Sequence, residues 1–171
     1  YFSMNTFYGI PVYYRPSLQN DDGGNPTPLP NLGLGFALPY FQVGPINMSM
    51  GGRLITFGFD KNFGTIEEPQ KIKSITLAGI LFTDLQPILN FFGDNIHLGL
   101  ETGVSYSIGW QEDYAGGVGV VVGGNLDYWF EELPIAIRLF GNGYMIPSYD
   151  DKMTGFGNLG ASLILVLKRG E

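Results

Sequence analysis

The chain has 171 residues, a formal net charge of −7 and no cysteine, with 26 glycines, 15% aromatics and only 15% charged residues. The acidic balance excludes nucleic acid as a partner, because phosphate binding needs clustered Lys and Arg, and the missing cysteines exclude disulfide frameworks and thiolate metal sites. An average soluble domain carries roughly 25% charged residues, so this chain lacks the Lys and Glu that normally cover a wet surface.

The length suits one domain, residues 1–171. No run approaches the roughly 20 apolar residues of a spanning helix, so a membrane form has to be a closed sheet. No signal peptide is visible and Tyr1 is not an initiator Met, which fits a chain that begins after a cleavage. Eight segments alternate with the period of two that marks a β-strand. The first, Phe2 to Tyr14, puts Phe2, Met4, Thr6, Tyr8, Ile10, Val12 and Tyr14 on one face. The connection "QNDDGGNPTPLP" follows. In the second, "NLGLGFALPY", Leu32, Leu34, Phe36, Leu38 and Tyr40 oppose Gly33, Gly35 and Ala37. Gly44-Pro45 makes a tight turn into the third, where Ile46, Met48, Met50 and Leu54 oppose Asn47, Ser49, Gly51 and Arg53. Its phase blurs from Ile55 to Phe59, where a bulge is expected. The fourth, Ile72 to Thr83, sets Ile75, Leu77 and Leu81 against Ser74, Thr76 and Ala78, with the weakest alternation of all. "DLQPILNFF", Asp84 to Phe92, offers a single turn of helix, shortened by Pro87.

The fifth segment, Ile96 to Trp110, is the most regular. Leu98, Leu100, Val104, Tyr106 and Trp110 fall on one face, and His97, Gly99, Glu101, Gly103 and Ser105 on the other. In the sixth, Val118, Val120, Val122, Leu126, Tyr128 and Phe130 oppose Gly117, Gly119, Gly123, Asn125 and Asp127. "EELP" turns into the seventh, with Ile135, Ile137 and Leu139 against Arg138 and Asn142. The last, "FGNLGASLILVLK", sets Leu159, Ala161, Leu163, Leu165 and Leu167 against Asn158, Gly160 and Ser162.

Two regularities decide which face meets water. Longer acidic connections follow segments one, three, five and seven, and generally shorter turns follow two, four and six. That is the meander of an outer-membrane barrel, with both termini at the short-turn rim. Aromatics on the apolar face gather at two levels: Tyr14, Tyr106, Trp110 and Tyr149 at the long-connection ends, and Phe2, Tyr40, Tyr128 and Phe130 at the other. Two girdles around an aliphatic band match a bilayer with two interfaces. A lipocalin-like barrel with its apolar face inward would expose the Gly/Ser/Asn face, and that face carries few of the charges an exterior needs. The apolar face is therefore expected to meet lipid.

With this pattern the chain resembles the small eight-stranded outer-membrane β-barrels, the OmpA/OmpX/OmpW-like class. The resemblance implies an all-β, closed antiparallel up-and-down transmembrane barrel in a Gram-negative-type outer membrane, both termini periplasmic and the acidic connections extracellular. "NLGASLIL", Asn158 to Leu165, fits the sorting pattern read by barrel assembly machinery, with Asn158, Gly160, Leu163 and Leu165 in its named positions. The chain departs from the bacterial pattern by ending "LVLKRGE" without a terminal aromatic.

Arg53, Glu101, Asp127 and Arg138 form the expected interior charge set. Such charges pair, because buried charge is costly alone; a gate built from rearranging pairs is the functional alternative. The interior glycines, including Gly33, Gly35, Gly99, Gly103, Gly117 and Gly119, leave space either for a narrow conduit or small ligand or for bulky interior groups such as Phe7, Phe140 and Tyr144. His97, Glu101 and Ser105 share one face, but four residues along a strand span roughly 13 Å, too far for a triad among themselves. Barrel enzymes of the lipid-modifying kind also expose their site toward lipid. The acidic pairs Asp21-Asp22, Glu67-Glu68, Glu112-Asp113 and Asp150-Asp151 lie in the longer connections without the spacing of a calcium motif; gathered at one rim, they suit divalent ions bridging to lipopolysaccharide. "GGVGVVVGG" is followed by neither a Lys-Ser/Thr nor a helix and is no phosphate loop. No cofactor or metal is implied. The expected role is structural or accessory and non-enzymatic, with membrane lipid, lipopolysaccharide, the assembly machinery and a protein partner as contacts. A narrow gated channel and a lipid-directed enzyme are the alternatives.

Overall fold

A computed structural model describes residues 2–15, 27–61, 70–89, 92–109, 117–147 and 153–167. Ten strands are formed: β1 (Phe2–Arg15), β2 (Thr27–Leu29), β3 (Asn31–Ala37), β4 (Phe41–Val43), β5 (Ile46–Lys61), β6 (Gln70–Asp84), β7 (Ile96–Gly109), β8 (Gly117–Trp129), β9 (Ile135–Pro147) and β10 (Met153–Leu167). All pairings are antiparallel, each long strand joins its chain neighbour, and β1 pairs with β10. The sheet therefore closes into a barrel of eight staves. Pro30 divides one stave into β2 and β3, and β4 is a short flap on the start of β5. Closure leaves no open edge, which is what a sheet needs inside lipid.

The long staves run from 13 to 16 residues, more than the roughly 9–11 that cross the hydrocarbon. Large apolar side chains point outward: Leu32, Val104 and Val118 are 63%, 63% and 67% exposed. An exterior of this kind is the inverse of a soluble protein, whose exposed apolar patches are small. Leu98, Leu100 and Val104 thus belong to the outer side, and Glu101, Ser105 and Ser107 are buried in the lumen.

On the β6 side the bulge expected at Ile55 to Phe59 is absent, and the irregularity there lies on the β2–β3 side of β5. The β5–β6 register runs without a shift from Asn47↔Asp84 to Lys61↔Gln70. Ile55 and Phe57 keep the parity of Arg53 and lie buried in the lumen. The break in phase is real in hydrophobicity only, because apolar groups fill the inside there. One register shift occurs in β1, between Pro11 and Tyr13, where Pro11 has no N–H to give to the ladder. Beyond it Tyr14 pairs with Phe156; the side chain of Tyr14, expected in the girdle, lies outside the described residues.

A second register change accompanies Pro30. Leu29 pairs with Gly58, but Gly33 pairs with Ile55, one residue out of step. Across the gap the Thr56 hydroxyl donates to the Leu32 carbonyl at 3.2 Å, and Thr56 Oγ1 lies 3.4 Å from the Leu32 N–H. At the opposite rim Gly44 adopts a φ of 60° in the β4–β5 turn, a conformation natural to glycine. Residues 85–89 make one helical turn, in which Ile88 and Leu89 N–H both donate to the Leu85 carbonyl. Asp84 Oδ1 accepts from the Gln86 N–H at 2.9 Å and secures its start.

Candidate functional site: the filled lumen

Inward parity delivers polar and charged side chains from four staves, β5, β7, β8 and β9, to the middle of the barrel. Asp127 and Arg138 stand opposite each other on β8 and β9. Arg138 Nε and Nη2 donate to Asp127 Oδ1 and Oδ2, each at 2.7 Å. Arg138 Nη1 also reaches Glu101 Oε1 at 3.4 Å, and Arg53 Nη2 donates to the same oxygen at 2.8 Å. The structure thus brings all four residues together as one chain, Arg53–Glu101–Arg138–Asp127, two cations against two carboxylates. Glu101 is fully buried and the others nearly so.

Neighbouring groups complete the network. Asn125 Nδ2 donates to Asp127 Oδ1 at 2.9 Å, and Asn142 Nδ2 lies 3.4 Å from Glu101 Oε2. The guanidinium carbons of Arg53 and Arg138 sit 5.6 Å and 5.2 Å from the ring centres of Phe140 and Phe82, within cation–π range. Ala78 and Gly35, paired with Arg53 on either side, leave the width its side chain needs.

Toward the long-connection rim the lumen becomes apolar. Phe156 lies 4.1 Å from Phe57 and stacks on Tyr144 at 5.0 Å with a 16° interplanar angle, and Phe57 meets Tyr144 edge-on at 5.3 Å. Ile55, Val121 and Ile146 pack around them. Of the expected bulky interior groups, Phe140 and Tyr144 are buried here; the side chain of Phe7 lies outside the described residues. Phe57, Phe156, Ile146 and Ile164 are interior groups that the hydrophobic lists missed. Extending the parity of Arg53 and Asn158 along their own strands would have found Phe57, Phe156 and Ile164.

At the short-turn rim His97 Nδ1 lies 2.9 Å from Asp84 Oδ2 and its Nε2 3.1 Å from the Asp94 carbonyl. Both neighbours are acceptors, a pattern that a doubly protonated ring satisfies. Glu101 is committed to the arginines and the Ser105 hydroxyl has no partner, so His97, Glu101 and Ser105 do not assemble. Among the described residues no cluster of three or more His, Asp or Glu groups suits a metal ion.

Tyr40, expected in the girdle, meets both sides of the wall. It follows β3 outside the ladder and lines the lumen beside Arg138. The residue is 48% exposed, yet part of it borders the interior beside Phe82 and Asp127. The cause is Pro39 and the turn to β4, which release the chain from alternation after Leu38 bonds to the Met50 carbonyl. Tyr106 and Tyr128 face outward at 53% and 45% exposure, and Phe130 packs edge-on against Tyr128 at 5.1 Å. Trp110, Tyr149 and the four acidic pairs lie outside the described residues. In β10, Leu163 and Leu165 point outward, Asn158 is buried, and Gly160 sits against Gly9 of β1.

No protein-family model matches the chain, and no curated protein matches it by sequence. Solved structures do match in shape. Neisserial surface protein A superposes with a TM-score of 0.58 at 10% identity, covering 97% of each chain. The outer membrane enzyme PagL gives 0.55 at 10% identity over 95% of this chain and 99% of its own. Ail, the attachment invasion locus protein of Yersinia pestis, gives 0.52 at 13% identity over 96% and 97%. One surface protein, one enzyme and one attachment protein share the architecture, so the likeness speaks for the fold and not for a task. The chain has the fold of the small eight-stranded outer-membrane β-barrels.

Proposed function

We propose that this protein is an integral outer-membrane barrel with a closed lumen, a non-enzymatic structural or accessory component that works through its lipid-facing wall and its long connections. The observation that carries this reading is the filling of the lumen: a balanced network from Arg53 to Asp127 lies under an apolar layer of Phe57, Tyr144 and Phe156. An eight-stranded barrel is just wide enough for side chains to fill. An ion would have to desolvate against aromatic rings and then break buried ion pairs.

In the proposed orientation both termini are periplasmic and the acidic connections extracellular. There they meet lipopolysaccharide through bridging divalent ions and offer a surface to a protein partner. The Asn158–Leu165 segment serves the barrel assembly machinery during insertion. Catalysis is disfavoured because His97 is held by two acceptors and reaches neither Glu101 nor Ser105.

Conductance across planar lipid bilayers is the test, on protein whose compact band in SDS shifts only after boiling. Silence at applied voltages up to the point of bilayer failure is expected. Reproducible discrete steps, altered by Glu101→Gln, would replace this reading with the gated channel.

A further inference from the structure

His97 is the sole histidine of the chain and ties the short-turn rim together. Its Nδ1 lies 2.9 Å from Oδ2 of Asp84, the last residue of β6. Its Nε2 lies 3.1 Å from the carbonyl of Asp94, just before β7 begins at Ile96. One ring therefore spans both ends of the β6–β7 connection. We propose that His97 is a proton-operated clasp, which fastens this connection as an imidazolium and releases its Asp94 end as a neutral ring.

The ring nitrogens decide between the two states. An imidazolium has two N–H groups for the two acceptors, whereas a neutral ring has one. Asp84 keeps that one, because a hydrogen bond to a carboxylate is stronger than one to a neutral carbonyl. Nε2 then turns a lone pair toward the Asp94 oxygen, and the contact becomes repulsive. Gly93, at a φ of 88° natural to glycine, makes the turn just before this carbonyl. Asn95, the next residue along, gives its carbonyl to the Trp129 N–H at 2.8 Å and its Nδ2 to Glu131 at 2.9 Å. Release of Asp94 is thus felt by the start of the β8–β9 turn.

The surroundings favour the charged ring. Asp84 faces it from β6, Asp94 belongs to the connection, and Asp127 stands directly opposite on β8. Arg138 of β9 and Tyr40 border the same small space, but Asp127 matches Arg138 through two contacts. The Trp129 ring lies 6.0 Å away, centre to centre. β7 has 14 residues, of which roughly 9–11 cross the hydrocarbon, so His97, its second residue, sits in the rim. There the hydrogen bond to Asp84 raises the pKa of the ring above its ordinary value, against partial burial. Stability from a raised pKa is present at low pH and is lost as pH rises through the folded-state value. The clasp is fastened below that point and opens above it.

The test is nitrogen NMR of the imidazole across pH in lipid nanodiscs, with amide exchange read in the same samples. The ring is expected to titrate above the ordinary value of about 6.5, and Asp84→Asn to lower its proton affinity about tenfold. Protection of the Trp129 amide, corrected for the intrinsic rate, is expected to fall about fivefold through the midpoint, the worth of one hydrogen bond. Protection at Val104, in the middle of β7, is expected to stay constant. His97→Gln is expected to remove the pH step at Trp129. Should the variants not fold, titration and exchange of the parent protein decide alone. A midpoint at or below the ordinary value, or one unmoved by Asp84→Asn, would overturn the charged clasp. A raised midpoint with unchanging protection at Trp129 would overturn the release and leave a static ion pair.

Discussion

Arg138 grips Asp127 through two nitrogens and two oxygens, both contacts 2.7 Å long, from directly opposite positions on adjacent strands. A parallel, bidentate pair of this kind holds its geometry better than a single contact. Removing one partner strands the other charge in a dry interior. Arg138→Met is expected to destabilise the barrel by about 3–5 kcal/mol, and Asp127→Asn with Arg138→Met by clearly less. Urea unfolding in lipid vesicles measures both. Equal losses for the single and the double variant would mean that the pair contributes nothing specific.

The aromatic layer makes a separate claim about packing. Phe156 is buried between Phe57 and Tyr144, so Phe156→Ala is expected to cost about 3–5 kcal/mol. Phe156→Leu should recover more than half of that in the same unfolding assay. A cost below 1 kcal/mol for the alanine variant would show that the layer is loosely packed.

Gly160 joins a packing role to the proposed assembly signal. A Cβ there would run into the Tyr8 carbonyl, the Phe140 ring and Gly9 Cα, whereas at Gly79 it would meet nothing within 4 Å. Gly160→Ala is therefore expected to lower the folded fraction in pure lipid vesicles, where no assembly machinery operates. Gly79→Ala should fold like the parent. Normal unaided folding of Gly160→Ala, combined with poor insertion in cells, would assign this glycine to recognition alone.

Thr56 holds a seam that backbone pairing leaves incomplete. Thr56→Val keeps the shape and removes the contacts to Leu32, at a cost of about 1 kcal/mol. Faster hydrogen exchange at the Leu32 amide is the expected local sign, with exchange at Leu34 unchanged. No change at Leu32 would mean that the backbone of β3 holds itself there.

The alternation of apolar and small residues was enough to read eight staves, their order, and which face meets lipid, because period two has only one structural meaning at this length. It was enough to put Arg53, Glu101, Asp127 and Arg138 on one side of the sheet. Their mutual contacts were not legible, since side-chain reach across a lumen depends on the tilt and radius of the closed ring. Hydrophobicity misled at Ile55, Phe57, Phe156 and Ile164, where an apolar residue sits inside a barrel whose outside is also apolar. Parity alone is the reliable guide in such a protein. Among the described residues it is interrupted at Pro39, where the turn to β4 resets it for Tyr40.

The ladder between β1 and β10 joins the two ends of the chain, from Phe2↔Leu167 to Arg15↔Gly155. Until it forms, two strands hold a row of N–H and C=O groups toward hydrocarbon, each costing several kcal/mol. A half-made ring is thus not a resting point in the bilayer. Insertion and circularisation have to be one event, timed by the arrival of the last stave. The same seam makes the finished molecule behave as a hoop, which keeps its whole circumference or loses it at once.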